Sequence, residues 1–260
     1  DFEKLIRERR VDYHFQPIVS AHDGHVVAYE ALMRPQLPTL RSPLTVMQLA
    51  SEMGRLYDIE KLTFFRVCEC CEELEAAGKL DADALIFVNS IASVSLSDED
   101  WASYCEAHSA ILPKLVVEIT EEEEMNEREL ERKRNVPGAP GVFALDDYGS
   151  GYSNGNSLLT VAPKYVKVDI AIIRGIDTDA DKQQFLMTLI DYAHPRGVQV
   201  LAEGVETLSE LRKVLEMGVD LLQGYCLARP AAEPGAIDEK AAEVIAEVER
   251  QKAEREEAGS

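Results

Sequence analysis

Two successive aspartates, Asp146 and Asp147, close the apolar run Val142-Phe143-Ala144-Leu145 and open a glycine-serine turn at 149–151. Neighbouring side chains of a strand point to opposite faces, so consecutive acids can serve one site only if the strand has already ended. Carboxylates at the edge of an apolar run are costly unless cations compensate them, and oxygen-only donors suit hard divalent ions. An ordinary Asp-rich turn is the plain alternative for this stretch alone. Six more positions share its character: Glu30, Asn89, Glu118, Lys167 (with Asp169), Glu203 and Gln223 each interrupt or end an apolar run, as in LVVEIT, YVKVD and VLAEGV. Acids make up 48 of 260 residues, so their number decides little; their placement among apolar neighbours is what an unpaired charge would not tolerate. Lys167 falls where apolar alternation expects a core residue. It reads either as an ion pair to Asp169 or Asp147, or as a cation acting on a water nucleophile or a phosphate. Arg34, just past Glu30, carries the fork of donors that fits a phosphate.

The elements that must carry these groups follow from periodicity. Strands are expected at 13–19 and 25–31, joined through Asp23-Gly24 as an antiparallel hairpin. Helical spacing then covers 44–53 and 57–77. From there strands at 84–89, 114–120, 142–146, 165–169, 199–203 and 220–226 alternate with helices near 98–108, 126–134, 156–161, 179–194 and 208–217. Continuous apolar runs such as LIFV and VFAL belong to strands buried on both faces. The pattern predicts an α/β fold: a (β/α)8 TIM-type barrel with an antiparallel first strand, in which the polar residues above gather at the carboxyl ends of the strands. An open doubly wound sheet fits less well, because no GxGxxG follows the first strand. Residues 1–260 read as one domain, with the barrel core at about 10–235 and a C-terminal helix and tail at 236–260. The stripe Ile237, Ala241, Val244, Ile245 and Val248 should pack that helix on the barrel, with fraying beyond Gln251.

A net charge of −21 argues against a nucleic acid polymer as partner. Five cysteines, odd in number and without a second CxxC, read as reduced packing residues. No apolar run approaches the roughly 18 residues of a membrane span, and no signal peptide is visible. The expected location is cytoplasmic, either free or as the cytoplasmic part of a membrane-anchored protein. The opening DFEKLIRERR without Met suggests a domain cut from a longer chain, with regulatory sensory domains elsewhere in it. A homodimer is compatible with this reading.

In order along the chain, QPIV (16–19), EALMR (30–34), FVN (87–89), EITE (118–121), DDYGSGYS (146–153), VKVD (166–169), AEGVE (202–206) and QGY (223–225) with Pro230 resemble the EAL domain family of cyclic di-GMP-specific phosphodiesterases. The resemblance implies hydrolysis of cyclic di-GMP to linear pGpG with two Mg²⁺ or Mn²⁺ ions. It implies that Glu30, Asn89, Glu118 and Asp146 hold one ion, and that Asp146 and Asp147 take part at the second. Lys167 and Glu203 would handle the attacking water, with Gln223 nearby. Glu206 would tie down the 146–153 loop, and Arg34, Gln16 and Gln223 would contact substrate. Tyr148 and Ser150 stand where the family often has Phe and Thr, and the stretch after Asn89 lacks a frequent proline. Two other readings stay open. One is an enolase-like Mg²⁺ barrel with a lysine base; the other is a non-catalytic cyclic di-GMP receptor.

Overall fold

The structure is a computed structural model and describes residues 1–121, 126–150 and 156–259. Eight strands close into a barrel in sequence order: β1 (Val11–Ser20), β2 (Val26–Pro35), β3 (Leu85–Asn89), β4 (Leu115–Thr120), β5 (Val142–Tyr148), β6 (Tyr165–Val168), β7 (Gln199–Ala202) and β8 (Leu221–Leu222). β1 pairs antiparallel with both β2 and β8, and every other neighbouring pair is parallel. The expected antiparallel first strand is therefore present. The helices are α1 (Phe2–Arg7), α2 (Pro43–Glu52), α3 (Leu56–Ala76), α4 (Asp98–Ala107), α5 (Glu127–Arg134), α6 (Asn156–Val161), α7 (Ile170–Ile173), α8 (Ala180–Ala193), α9 (Leu208–Met217) and α10 (Glu239–Gly259). Among the described residues, no helix is long and apolar enough to cross a membrane.

Inside the barrel, Ile18, Ala28, Phe87, Val116, Ala144, Tyr165, Leu201 and Leu221 form one apolar plug, with the rings of Phe87 and Tyr165 5.1 Å apart. Side chains two residues apart along a strand share a face. Two residues further toward the carboxyl mouth (for β1, which runs the other way, two residues earlier) stand Gln16, Glu30, Asn89, Glu118, Asp146, Lys167, Glu203 and Gln223. Each strand thus lays one apolar residue into the plug and one polar residue above it.

Outside, the two largest apolar shells join barrel and helices. One is built around α1 to α4, and includes Phe64, Trp101 and Tyr104 with buried Cys68, Cys70 and Cys71. These cysteines are free, and burial pushes all three thiols up, Cys68 to about 12. They are packing groups, as expected. The other shell contains α8 and α9, and Ala241, Val244, Ile245 and Val248 of α10 complete it. That helix continues past the expected fraying point at Gln251 to Gly259.

β8 and the segment after β6 differ most from expectation. β8 is only two residues long, because Gly224 already presses against the next loop: a Cβ there would lie 2.2 Å from Val205 O and 2.3 Å from Val205 N. The short α7 was not expected. Asp169 caps it through a 2.7 Å bond from Ala171 N, and four consecutive apolar-rich positions carry no helical period.

Candidate metal and active site

The ring of polar residues at the carboxyl mouth is dominated by Lys167. Its Nζ lies 2.5 Å from Glu118 Oε1, 2.7 Å from Glu203 Oε1, 2.9 Å from Asp146 Oδ1 and 3.4 Å from Glu30 Oε2. Among the described residues it forms no ion pair with Asp147 or Asp169. The lysine is 1% exposed. Burial alone would lower its pKa, but the carboxylates of Asp146, Glu118, Glu203 and Glu30 outweigh that and hold it well above the ordinary lysine value. Lys167 is a fixed cation in this nest.

Asp146 and Asp147 both reach the site, although β5 has not ended there. The strand runs through both to Tyr148, and its register with β6 shifts between Leu145 and Tyr148. Asp147 takes a left-handed backbone, φ 55°, a conformation Asp tolerates better than most residues. The bulge abolishes the alternation and turns two successive carboxylates toward one mouth. This corrects the expectation that the strand must stop first.

Two carboxylate groupings result. In each, ligand oxygens lie within 4.8 Å of one another: Glu30, Glu118 and Asp146 in the first, and Asp146, Asp147 and Glu203 in the second. Asp146 belongs to both. Asn89 sits beside the first, donating a 3.4 Å hydrogen bond to Glu30 Oε1. Gln223 donates to Glu30 Oε2 at 2.7 Å and to Gln16 Oε1 at 3.3 Å, and Gln16 in turn donates to the Ala228 carbonyl.

The donor set fits divalent cations. Among the described residues, the buried oxygens Glu118 Oε2 and Gln223 Oε1 accept no hydrogen bond; Glu118 Oε1 and Asp146 Oδ1 face Lys167 at ion-pair distance. Five carboxylates against one ammonium leave four negative charges, which two divalent ions match. Without ions, three of the acids hold their protons more tightly than free carboxylates. Burial, and then Asp146 beside it, pushes Asp147 from 3.8 up to about 6, and burial drives Glu118 and Glu203 well above the carboxylate range.

These shifts fix the sign of a pH effect. The folded chain keeps protons that the unfolded chain gives up, so stability from these groups is present below the unfolded values and is lost as pH rises through about 6 for Asp147. In chelator, Tm should fall across that range, and saturating Mg²⁺ should flatten the decline. A Tm that rises with pH in chelator would contradict the arrangement.

Arg34 does not join the ring. It lines an adjacent cavity of about 450 Å³ together with Asn89, Glu60, Met47 and Asp147, with its Nη1 donating to the Met33 carbonyl at 2.9 Å. A second cavity of about 260 Å³ opens on Gln16, Glu30, Asp147, Glu203 and Gln223. Asp147 borders both. Glu206 borders that second cavity as well and pairs with Arg174 at 2.7 Å; of the 146–153 loop it is expected to tie down, residues 151–153 lie outside the described residues.

Two groups escaped the sequence reading. Glu121, buried after β4, accepts from Gly149 N and Ser157 Oγ, each at 3.2 Å, and so grips both sides of the 146–153 loop region. Its position in EITE was a signal, but its neighbours were not readable. The other is a buried pair, Glu60 and Lys133, whose partners are 73 residues apart.

The sequence profile of the EAL domain matches residues 1–230. The chain belongs to the EAL domain family. Cyclic di-GMP phosphodiesterase NbdA of Pseudomonas aeruginosa is 30% identical over 240 residues, covering 88% of this chain and 30% of the relative. This EAL domain thus spans under a third of that protein's length. Among solved structures, the PaMucR phosphodiesterase in complex with c-di-GMP superposes with a TM-score of 0.75 at 25% identity, covering 89% of this chain and 96% of the other. Klebsiella pneumoniae BlrP1, in its calcium and cyclic di-GMP complex, gives 0.74 at 25% identity over 88% of this chain and 58% of that one. Its manganese complex gives 0.74 at 26% over the same shares. The closed barrel is the fold of these proteins, and the acidic groupings lie at its carboxyl mouth.

Proposed function

We propose that this EAL domain is a metal-dependent phosphodiesterase that hydrolyses one phosphodiester of cyclic di-GMP to linear pGpG, lowering a bacterial second messenger. The observation that carries the reading is the sharing of Asp146 between two carboxylate groupings, the arrangement a two-ion site requires. Glu30, Asn89, Glu118 and Asp146 would hold one Mg²⁺ or Mn²⁺; Asp146 and Asp147, with Glu203 at the edge, would serve the second. When bound, the ions supply Lewis-acid stabilisation of the attacking and leaving oxygens of an in-line displacement.

The remaining work belongs to the chain. Lys167 stays protonated and orders four carboxylates around itself, so it acts as a positioning and charge-balancing group and leaves proton acceptance to another residue. Glu203, at the edge of the second grouping and 2.7 Å from Lys167 Nζ, is the carboxylate placed to accept a proton from the attacking water. Gln223 and Gln16 form a neutral polar edge that fixes Glu30 and meets the substrate. Arg34, in the adjoining cavity, presents its donors to a phosphate. The apolar plug below keeps bulk water out of the ring and strengthens every charge in it.

Incubation with cyclic di-GMP and Mg²⁺ or Mn²⁺, followed by chromatographic product analysis, should yield pGpG, and excess chelator should stop its formation. Full turnover in chelator, or intact cyclic di-GMP with both ions, would sink the reading.

A further inference from the structure

The turn that follows Asn89 is held from outside the barrel by a buried ion pair. Glu60 of α3 and Lys133 of α5 approach to 2.5 Å, and both side chains are 0% exposed. They converge on Ser90 and Ile91. Ile91 N donates to Glu60 Oε2 at 3.0 Å, and the Ser90 hydroxyl donates to Glu60 Oε1 at 2.6 Å. Lys133 Nζ donates to the Ile91 carbonyl at 2.6 Å and to Ser90 Oγ at 2.5 Å. Two helices distant in sequence thus grip one dipeptide by its backbone and its hydroxyl.

Stability does not account for this choice. An apolar pair of the same volume in such a place is often equally stable, since two charges must be stripped of water to form the bridge. What a directional, hydrogen-bonded pair adds is a fixed backbone. Asn89 is the residue that needs one. Its side chain is exposed and makes a long 3.4 Å hydrogen bond to Glu30, whereas Glu118 and Asp146 are walled in by the barrel. An exposed carboxamide points where its main chain aims it, and that main chain ends at Ser90 N, which donates to the Glu118 carbonyl at 3.0 Å.

We propose that the Glu60–Lys133 pair is a positioning device that aims the Asn89 carboxamide into the cation site. The inference rests on Asn89 being a ligand there. Groups that orient a metal ligand typically change metal affinity or activity by roughly 10- to 100-fold when removed.

The test replaces the pair by apolar residues, Glu60→Leu with Lys133→Met, in the full chain, and measures Mn²⁺ affinity by calorimetry without nucleotide, beside the melting temperature. The expected result is a folded protein that binds Mn²⁺ about tenfold or more weakly. Repeating the swap in an Asn89→Ala background should produce no further loss, because a group acting only through Asn89 has nothing left to act on. Unchanged affinity in the folded swap, or an equal loss in both backgrounds, would overturn the proposal and leave a simple tether between α3 and α5. If the double swap fails to fold, Ser90→Ala, which removes the hydroxyl both charges share, carries the same comparison: weaker binding that disappears in the Asn89→Ala background supports it, and unaffected binding overturns it. A wild-type chain that binds no Mn²⁺ at all would remove the metal reading itself, and the inference with it.

Discussion

Asp146→Asn should reduce turnover of cyclic di-GMP by about a thousandfold or more while leaving the barrel intact. Asp146 is the one residue common to both carboxylate groupings, so its loss weakens two sites at once. A bridging carboxylate supplies several kcal/mol of transition-state stabilisation, and each ~1.4 kcal/mol is a factor of ten in rate. Stability should move the other way. In chelator, Asp146 raises the pKa of Asp147, Glu118 and Glu203, and replacing it by a neutral amide relieves that repulsion. The variant should therefore melt at or above the wild-type temperature in chelator and gain less from added Mg²⁺. Near-normal turnover would exclude Asp146 as a shared ligand.

Lys167→Met should have the largest effect on stability of any single change at the mouth. Four carboxylates surround its Nζ, and methionine leaves them without their common counter-charge. Removing one partner of a buried ion pair typically costs about 3–5 kcal/mol, and the affected group here is larger than a pair. The acids can recover part of the loss by taking up protons, so the defect in chelator should shrink as pH falls. Divalent ions should restore part of the melting temperature, yet turnover should stay low, because the carboxylates lose the cation that spaces them. A variant with wild-type Tm at neutral pH in chelator would show that Lys167 carries no such load.

The ring itself was legible because a closed barrel turns a period of two into layers. Once Phe87 is placed in the plug, Asn89 must stand above it, and the same step leads from Val116 to Glu118 and from Tyr165 to Lys167. Asp147 broke that rule, and its left-handed backbone could not be read from two adjacent acids. The sequence offers Lys167 only local acids, Asp147 and Asp169, as partners; the four it has come from other strands, and only the closed circle brings them together. Glu121 and the Glu60–Lys133 pair were hidden for the same reason, since their roles depend on which helix or loop lies against them. The Gly224 contact with Val205 shortened β8, and a close approach between two loops leaves no periodic trace.

The central claim, a two-ion hydrolase, is tested most directly by exchanging ions on a single sample of the protein–nucleotide complex. Ca²⁺ accepts six to eight oxygens in loose geometry, whereas Mg²⁺ requires a near-octahedral set. With Ca²⁺ the carboxylates should still bind cyclic di-GMP, but without the ordered geometry that in-line attack needs. Cyclic di-GMP should therefore remain bound and intact under Ca²⁺, and should convert to pGpG when Mn²⁺ replaces it. Equally tight binding under Ca²⁺, Mg²⁺ and Mn²⁺, with no linear product under any of them, would contradict the account and leave a receptor in its place.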